Sequence, residues 1–563
     1  MPTQTIPLVG VPTQRGPIIT SSSAPTKDAR LVRCISTVIP NDATKTVNVY
    51  CEKTPGWALN STPAGSDNGT AIYSLPSGNG LFSAFGTTTN TLYYKGSNPL
   101  ATLGVISTAG SFVANIYDAY IAGDNYIFFT DSSGNGWFAS SLTYADIASS
   151  FTGDTHTNTT IDNIAGVNMN ALQIGQAISG TGIQAGTRIA TVNVGGASIT
   201  TTLATTATNA GITIAWERVA KIIDSVFTGY QTYGDFVELG GRLFIAATAS
   251  GASYIIGSDL NEPWDWTADQ IIPPNYNSDY PVGIAKYAGQ IALFSSNAIQ
   301  FFYNAGNASG SVLSQSANLS MVGFGAAVPS SGGAPLIRTM AGNVYFVGAT
   351  NGVITGVYRF NGFTPEKISN EAVTRYVTRL PLDTNRYAFD TFPAFGQTYL
   401  YIGGNTDFGY LYCVETGKWT EAGFTGPMRI TSSIGDRYAV RISGTTGKTY
   451  IMADNSVTYQ DDSSAYTMTI QTEPFVLNGG NRFTINAIRL IADNQASGTT
   501  TLETSGDDYE SFRTIGTFDM TKTRKEIRRG GYYKNSCAFR LTHSANTAWR
   551  GQALQVDWTP AAA

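Results

Sequence analysis

Two histidines stand in 563 residues, His156 and His543. A Ser–His–Asp hydrolase needs an imidazole beside a nucleophile held on a sharp turn. His156 lies in a Thr-rich stretch and His543 near the C-terminus, and no nucleophile-elbow pattern flanks either. Both read as surface or strand histidines. The cysteines Cys34, Cys51, Cys413 and Cys537 form no CxxC pair, so a thiolate or imidazole zinc site is not expected. Cys34 and Cys51 could pair, although free buried thiols suit a protein assembled in a cytosol. Gly180-Thr-Gly-Ile-Gln-Ala-Gly186 is spaced GxGxxxG with no βαβ pattern around it, and it reads as a turn rather than a dinucleotide loop. No phosphate loop of the GxxxxGK[ST] type is present.

Carboxylates need a fuller hearing, because two of them opposed across a sugar cleft make a glycosidase. Asp259, Glu262 and Asp265 lie together in Gly257-Ser-Asp-Leu-Asn-Glu-Pro-Trp-Asp-Trp266, where Trp264 and Trp266 could stack on a sugar ring. The simpler reading is a polar turn with two tryptophans packed between sheets. Asp461, Asp462, Asp507 and Asp508 read as turn residues. Asn68, Asn158 and Asn307 head glycosylation patterns that carry no meaning without a secretory signal. The expectation is therefore a protein that is not an enzyme, with no catalytic, cofactor-binding or metal-ligating residue.

What elements carry these residues? The chain holds 60 glycines and 12% aromatics, but only 13% charged residues, about half the usual share. Gly, Thr, Ser, Asn and Tyr at this density suit many short strands joined by tight turns. A hairpin recurs: a small or apolar residue, Gly, one polar residue, then an apolar or aromatic strand. Copies are Ala122-Gly-Asp-Asn-Tyr-Ile-Phe-Phe129, Gly240-Gly-Arg-Leu-Phe-Ile-Ala246, Ala288-Gly-Gln-Ile-Ala-Leu-Phe294, Ala341-Gly-Asn-Val-Tyr-Phe-Val347 and Phe395-Gly-Gln-Thr-Tyr-Leu-Tyr401. Thr446-Gly-Lys-Thr-Tyr-Ile451 is weaker, and Gly86 with Thr91-Leu-Tyr-Tyr94 is partial. The glycines at 241, 289, 342, 396 and 447 stand 48, 53, 54 and 51 residues apart. A period near 50 fits a four-stranded, kelch-like propeller blade, and the copies predict an all-β propeller of six blades.

From Gly123 to Gly241 is 118 residues, more than twice the period. The excess falls in 153–216, a segment rich in Thr and almost free of charge. Removing it restores the period, so it reads as a small β module inserted into a blade loop. The reading divides the chain into a Pro-rich arm with platform strands at 1–70, a first propeller part at 71–152, the module at 153–216, further blades at 217–455 and a β-sandwich at 456–563. Helix is expected only at 371–379 and 144–150. In the sandwich, Thr521-Lys-Thr-Arg-Lys-Glu-Ile-Arg-Arg529 is the densest basic run. It reads equally as a solvated strand edge, which cations protect from pairing, and as a docking surface for an acidic partner.

Net charge is −5, which argues against gripping nucleic acid through its phosphates. No apolar run reaches the roughly 18 residues of a spanning helix, and Met1-Pro-Thr-Gln-Thr-Ile-Pro7 has no signal-peptide pattern. Synthesis in a cytoplasm is the expectation.

The stretch from Tyr254 to Phe363 resembles the tail nozzle proteins of short-tailed bacteriophages, also known as packaged-DNA stabilisation or head-completion proteins. The residues that carry the resemblance are Trp264-Asp-Trp266, Pro281-Val-Gly-Ile-Ala-Lys-Tyr-Ala-Gly-Gln-Ile-Ala-Leu-Phe294, Asn297-Ala-Ile-Gln-Phe-Phe-Tyr303, Gly342-Asn-Val-Tyr-Phe-Val-Gly348 and Val357-Tyr-Arg-Phe-Asn-Gly362. Asn48-Val-Tyr-Cys-Glu52 and Gly530-Gly-Tyr-Tyr-Lys-Asn-Ser-Cys-Ala-Phe-Arg-Leu541 resemble the opening and closing segments of that family. Residues 174–189 separately resemble a small β module of phage tail and adhesion proteins. The resemblance implies a virion protein: a homohexameric ring below the portal and its adaptor, retaining packaged DNA and conducting it at ejection without sequence-specific binding. Implied partners are the adaptor ring, tail fibres or spikes, and a needle or plug protein. Two other readings stay open, a host-surface-binding tail protein and a tail-associated glycan depolymerase.

Overall fold

The structure is a computed structural model. It describes residues 2–8, 30–41, 46–62, 68–75, 80–86, 89–95, 101–108, 113–145, 150–273, 279–307, 310–329, 334–382, 386–404, 409–424, 426–433, 435–442, 447–454, 456–528 and 531–561. Most of the Pro-rich arm, the centre of the 144–150 segment, the Ser of the Asn307 pattern and Arg529 lie outside the described residues.

The repeated hairpin is a two-residue turn with both residues at positive φ. Ala122 and Gly123 stand at 53° and 90°, Ala288 and Gly289 at 47° and 74°, and Ala341 and Gly342 at 51° and 73°. Such a turn matches the twist of the strands it joins, and glycine at its second position removes the steric cost. Each of the five strong copies closes the first hairpin of an antiparallel blade sheet, as Tyr287 pairing with Gln290 illustrates.

Seven blade sheets occur among the described residues: three of four strands, two with a fifth short strand and two continued into nine-stranded sheets. Their first strands are Gly69–Ser74, Val113–Ile121, Gln231–Leu239, Pro281–Tyr287, Ile337–Met340, Ala388–Ala394 and Met428–Ser432. These strands neighbour one another in that order, and the last lies against the first. The fold is a closed β-propeller of seven blades, numbered here in that order. The expected six are corrected to seven for a specific reason. The five strong copies mark blades 2 to 6. Gly86 and Gly447 lie in second-to-third turns, one in blade 1 and one in blade 7, so each marks a further blade. Blade 7 takes its outer strand, Ala58–Ser61, from the N-terminal part of the chain. The segment 1–70 is thus shared between sandwich and propeller.

Apolar clusters sit between successive blades, for example Phe294, Phe346 and Phe360 between blades 4 and 5. Fully burying a side chain of this size removes enough apolar surface to contribute about 2–3 kcal/mol. A helix at Glu371–Val377, capped by the Asn370 side chain, connects blades 5 and 6. A short helix at Ser141–Ala145 leads from blade 2 into the inserted module.

That module begins at Ser150–Thr155 and ends in Asn209–Lys221, a 13-residue strand whose last residues form the outer strand of blade 2. Six strands close on themselves through the Ala177–Arg188 bridge and the 2.8 Å bond from Gly175 N to Ile189 O. The result is a small barrel around Phe151, Ile161, Ile178, Ile199 and Trp216. Gly182 and Gly186, from the GxGxxxG segment, take positive φ in its turns. Arg188 seats the barrel on blade 2, its guanidinium 5.3 Å from the Trp137 ring.

The sandwich draws on both ends of the chain. One sheet includes Thr3–Pro7, Cys34–Asn41, Thr46–Lys53, Phe483–Ala492 and Arg550–Pro560; the other includes Arg30–Val32, Met468–Gln471, Thr499–Ser505 and Ala538–His543. The Arg30–Val32 strand also pairs with the outer strand of blade 6 through Val32 and Glu421. Arg33, buried and ion-paired with Asp461, lies between the Phe424 and Tyr466 rings. Sandwich and propeller are therefore joined through hydrogen bonds and a buried charge pair.

Candidate functional site

Five polar side chains meet on the propeller axis, each from a different blade. Local backbone irregularities place two of them. Asp235 follows Gly234 in a bulge of the blade 3 inner strand. Gly234 has φ of 80°, and a Cβ there would stand 2.9 Å from Gly283 Cα in blade 4. Asn115 sits at the bulge of the blade 2 inner strand. Arg338, Asp390 and Arg429 come from the inner strands of blades 5, 6 and 7.

Asn115 Nδ2 donates to Asp235 Oδ1 at 2.6 Å, and Arg338 Nη2 donates to Asn115 Oδ1 at 2.8 Å. Arg338 Nε donates to Asp390 Oδ1 at 3.3 Å, and Arg338 Nη1 stands 3.6 Å from Asp235. Arg429 Nη1 stands 3.6 Å from the same Asp390 oxygen, and the backbone N–H of Ile430 donates to Asp390 at 3.0 Å. Arg429 is 5% exposed, and its Nε and Nη1 have no hydrogen-bond acceptor among the described residues. Burial raises the Asp235 carboxyl above its ordinary range against the pull of Arg338 and Asn115. Burial likewise lowers the Arg429 guanidinium against the pull of Asp390.

Above this layer, towards the glycine turns, is a pocket of about 410 Å³ walled by residues such as Ile284, Thr339, Thr391 and Pro393. The layer is its floor. A network of two carboxylates and two guanidiniums can hold blades in register, and it obstructs the axis. Sequence reasoning missed it because each blade supplies one residue. The available signal was a charge inside an apolar inner strand, as in Ala388-Phe-Asp-Thr-Phe392.

The carboxylates singled out from sequence lie elsewhere. Asp259 accepts from Arg242 Nη1 at 2.8 Å and is held below its usual range by that bond. It pairs with Glu262 across a hairpin, not across a cleft. Burial, with Asp224 and Asp259 nearby, raises Asp265. Trp266 is buried with its ring centroid 4.7 Å from that of Phe227, and Trp264 lies 6.5 Å from Phe138 of blade 2. The Trp266 ring is taken up by packing, whereas Trp264 is half-buried. Asp461 accepts from Trp57 N at 3.1 Å, Asp462 pairs with Lys448 at 2.7 Å, and Asp507 caps a turn through Ser511 N at 3.0 Å. Asp508 stands in that turn with φ of 55°.

His156 lies 2.8 Å from Asp162 on the barrel surface. His543 is 1% exposed and packed among Thr499, Thr500 and Thr547; burial and then Lys53 lower its pKa to about 4, so it is neutral at pH 7. All four cysteines are free and buried. Burial, then the adjacent Cys51 thiol, raises Cys34, which suppresses thiolate chemistry. No group of three metal-ligating side chains occurs among the described residues, and no helix of theirs is long and apolar enough to cross a membrane.

No protein-family model matches the chain, and no curated protein matches it. Among solved structures it is similar to Raptor of Chaetomium thermophilum, at 9% identity and a TM-score of 0.35, over 71% of this chain and 28% of that one. It is also similar to Sqt1 of Saccharomyces cerevisiae, at 11% identity and a TM-score of 0.32, over 70% of this chain and 98% of that one. The chain thus spans little more than a quarter of Raptor. The order of the sheets, rather than these likenesses, establishes the propeller.

Proposed function

We propose that this chain is a structural, non-enzymatic subunit of a bacteriophage tail, assembled in the host cytoplasm into a homohexameric nozzle ring that extends the DNA channel below the adaptor. The reading rests first on the resemblance of residues 254–363 to nozzle proteins. The observation that supports it best is the obstructed axis. With Asn115, Asp235, Arg338 and Asp390 bonded across the pore, a duplex cannot pass along the propeller of one subunit. A conduit would have to run between subunits, which calls for a ring of rigid wedges. Seven blades closed by a strand from the far end of the chain, and clamped to a sandwich, have that rigidity. Closed symmetry then gives a ring with no unsatisfied interface. An acidic chain would let DNA slide without being held.

The test is single-particle electron microscopy of the purified protein, alone and with its adaptor ring. A six-fold ring with a central lumen between subunits supports the reading. A strict monomer that never joins a six-fold tail overturns it.

One observation favours a second reading, host-surface binding. The 150–216 barrel has its own core and projects from blade 2. Unchanged adsorption after its deletion would retire that reading. For the depolymerase reading, Trp266 is buried against Phe227, which leaves the half-buried Trp264 as the ring that could meet a sugar.

A further inference from the structure

The sandwich carries a basic edge and blade 3 an acidic rim, and the two are complementary. Residues 521–528 carry four cations, Lys522, Arg524, Lys525 and Arg528, against one carboxylate, Glu526. Lys525 is buried and donates to Ala492 O at 3.0 Å and Asn494 Oδ1 at 2.8 Å. Glu526 is shared by Arg489, Arg524 and Arg528 at 3.1, 3.0 and 3.4 Å. Arg489 is also paired with Asp557 at 2.8 Å, which leaves Glu526 to face Arg524 and Arg528, two guanidiniums against one carboxylate. Arg524 and Arg528 are mostly exposed, and the sheet face beside them presents Tyr532, 50% exposed. The edge remains cationic with an aromatic ring at its border.

Residues 259–269 carry Asp259, Glu262, Asp265 and Asp269 and no cation. Among the described residues, only Asp259 of these has an ion-pair partner, Arg242. Glu262 and Asp269 are exposed, and Asp224 and Asp259 are near enough to raise Asp265. The hairpin tip beside them presents Leu260, 52% exposed. This rim is anionic with an apolar tip.

Among the described residues, no ion pair joins the two faces within one chain. The sandwich joins the propeller at blade 6 through Val32 and Glu421, whereas the rim belongs to blade 3, three blades away around a ring of seven. We propose that the Lys522–Arg528 edge of one copy docks on the Glu262–Asp269 rim of the next. The partner fitted by both faces is a second copy of this chain. A contact between unlike faces is heterologous, and repeated it generates a closed ring when the rotation allows. Cations facing carboxylates set partner choice and association rate, while Leu260 and Tyr532 supply apolar area at the contact. The inference rests on the ring reading above and names the surfaces that would build it.

Charge reversal on the full-length protein tests it, with mass photometry across a salt series. The wild type should form rings whose assembly weakens as salt screens the faces. Arg524→Glu with Arg528→Glu should raise the concentration for half-assembly roughly tenfold or more. Glu262→Lys with Asp269→Lys should do the same. The chain carrying all four changes should assemble again, a recovery that misfolding cannot produce. Wild-type-like rings from both single-face variants would overturn the docking faces and leave the nozzle reading standing. Failure of the four-fold variant to recover would also overturn the faces. A wild type that never forms rings would overturn both.

Discussion

Arg338 Nε meets Asp390 Oδ1 at 3.3 Å, and that bond joins blades 5 and 6 at the propeller axis. Arg338 also reaches Asn115 of blade 2 and, at 3.6 Å, Asp235 of blade 3. Removing it takes a cation from two buried carboxylates at once, leaving Asp235 with Asn115 and Asp390 with Arg429 and the Ile430 N–H. Breaking one side of a buried charge network costs about 3–5 kcal/mol. Arg338→Ala should lower the denaturant midpoint by a corresponding amount, measured by tyrosine and tryptophan fluorescence.

The glycine turns offer a stabilising change. Ala288 and Ala341 hold φ of 47° and 51°, a region that penalises a Cβ but that asparagine tolerates. Asn followed by Gly is the preferred pair for this turn. Ala288→Asn and Ala341→Asn should each stabilise the propeller by about 0.5–1 kcal/mol, seen as a rise in thermal midpoint. Gly289→Ala should act in the opposite sense.

His543 makes stability fall in acid. Its folded pKa is lowered by burial, then by Lys53, to about 4, against roughly 6.5 when unfolded. Between those values the unfolded chain binds the proton and the folded chain does not. Stability should therefore drop as pH falls from about 6.5 and level off below about 4, with a total loss approaching about 3 kcal/mol. His543→Gln should flatten that part of the profile, measured by urea denaturation from pH 7 to 4.

The barrel should be removable. Blade 2 needs only the end of the long strand, where Trp137 pairs with Lys221 and Phe138 with Ala220. Replacing 150–214 by a short Gly-Ser link should leave a folded propeller, checked by circular dichroism and a cooperative thermal transition. Arg188→Ala in the intact chain should loosen the barrel against Trp137, read as faster amide exchange at 176–193, by an amount typical of a partly buried cation–π contact, about 1 kcal/mol.

Much of the scaffold was legible because its signal is local. Gly123, Gly241, Gly289, Gly342 and Gly396 each mark a turn that only a positive φ can close, and the apolar strands after them are buried. The blade count was not, because Gly86 and Gly447 occupy a different turn and because blade 7 is completed by Ala58–Ser61, a pairing across most of the chain. Trp264 and Trp266 show the limit in another way: two tryptophans beside carboxylates have the same composition whether they face sugar or neighbouring blades. The axial layer left no motif, since Asn115, Asp235, Arg338, Asp390 and Arg429 come together only once the ring is closed.

The pairing of Ala58–Ser61 with Thr449–Ala453 also sets a timetable. Ribosomes deliver roughly 5–20 residues per second, so the early strand waits on the order of half a minute for its partner. The Thr46–Lys53 strand waits longer, for Arg550–Pro560. Throughout that interval the nascent chain displays unpaired edges from its first-made segment, while the middle blades can already stack. Copies emerging side by side on one message could exchange these edges, so yield should depend on how densely the message is translated.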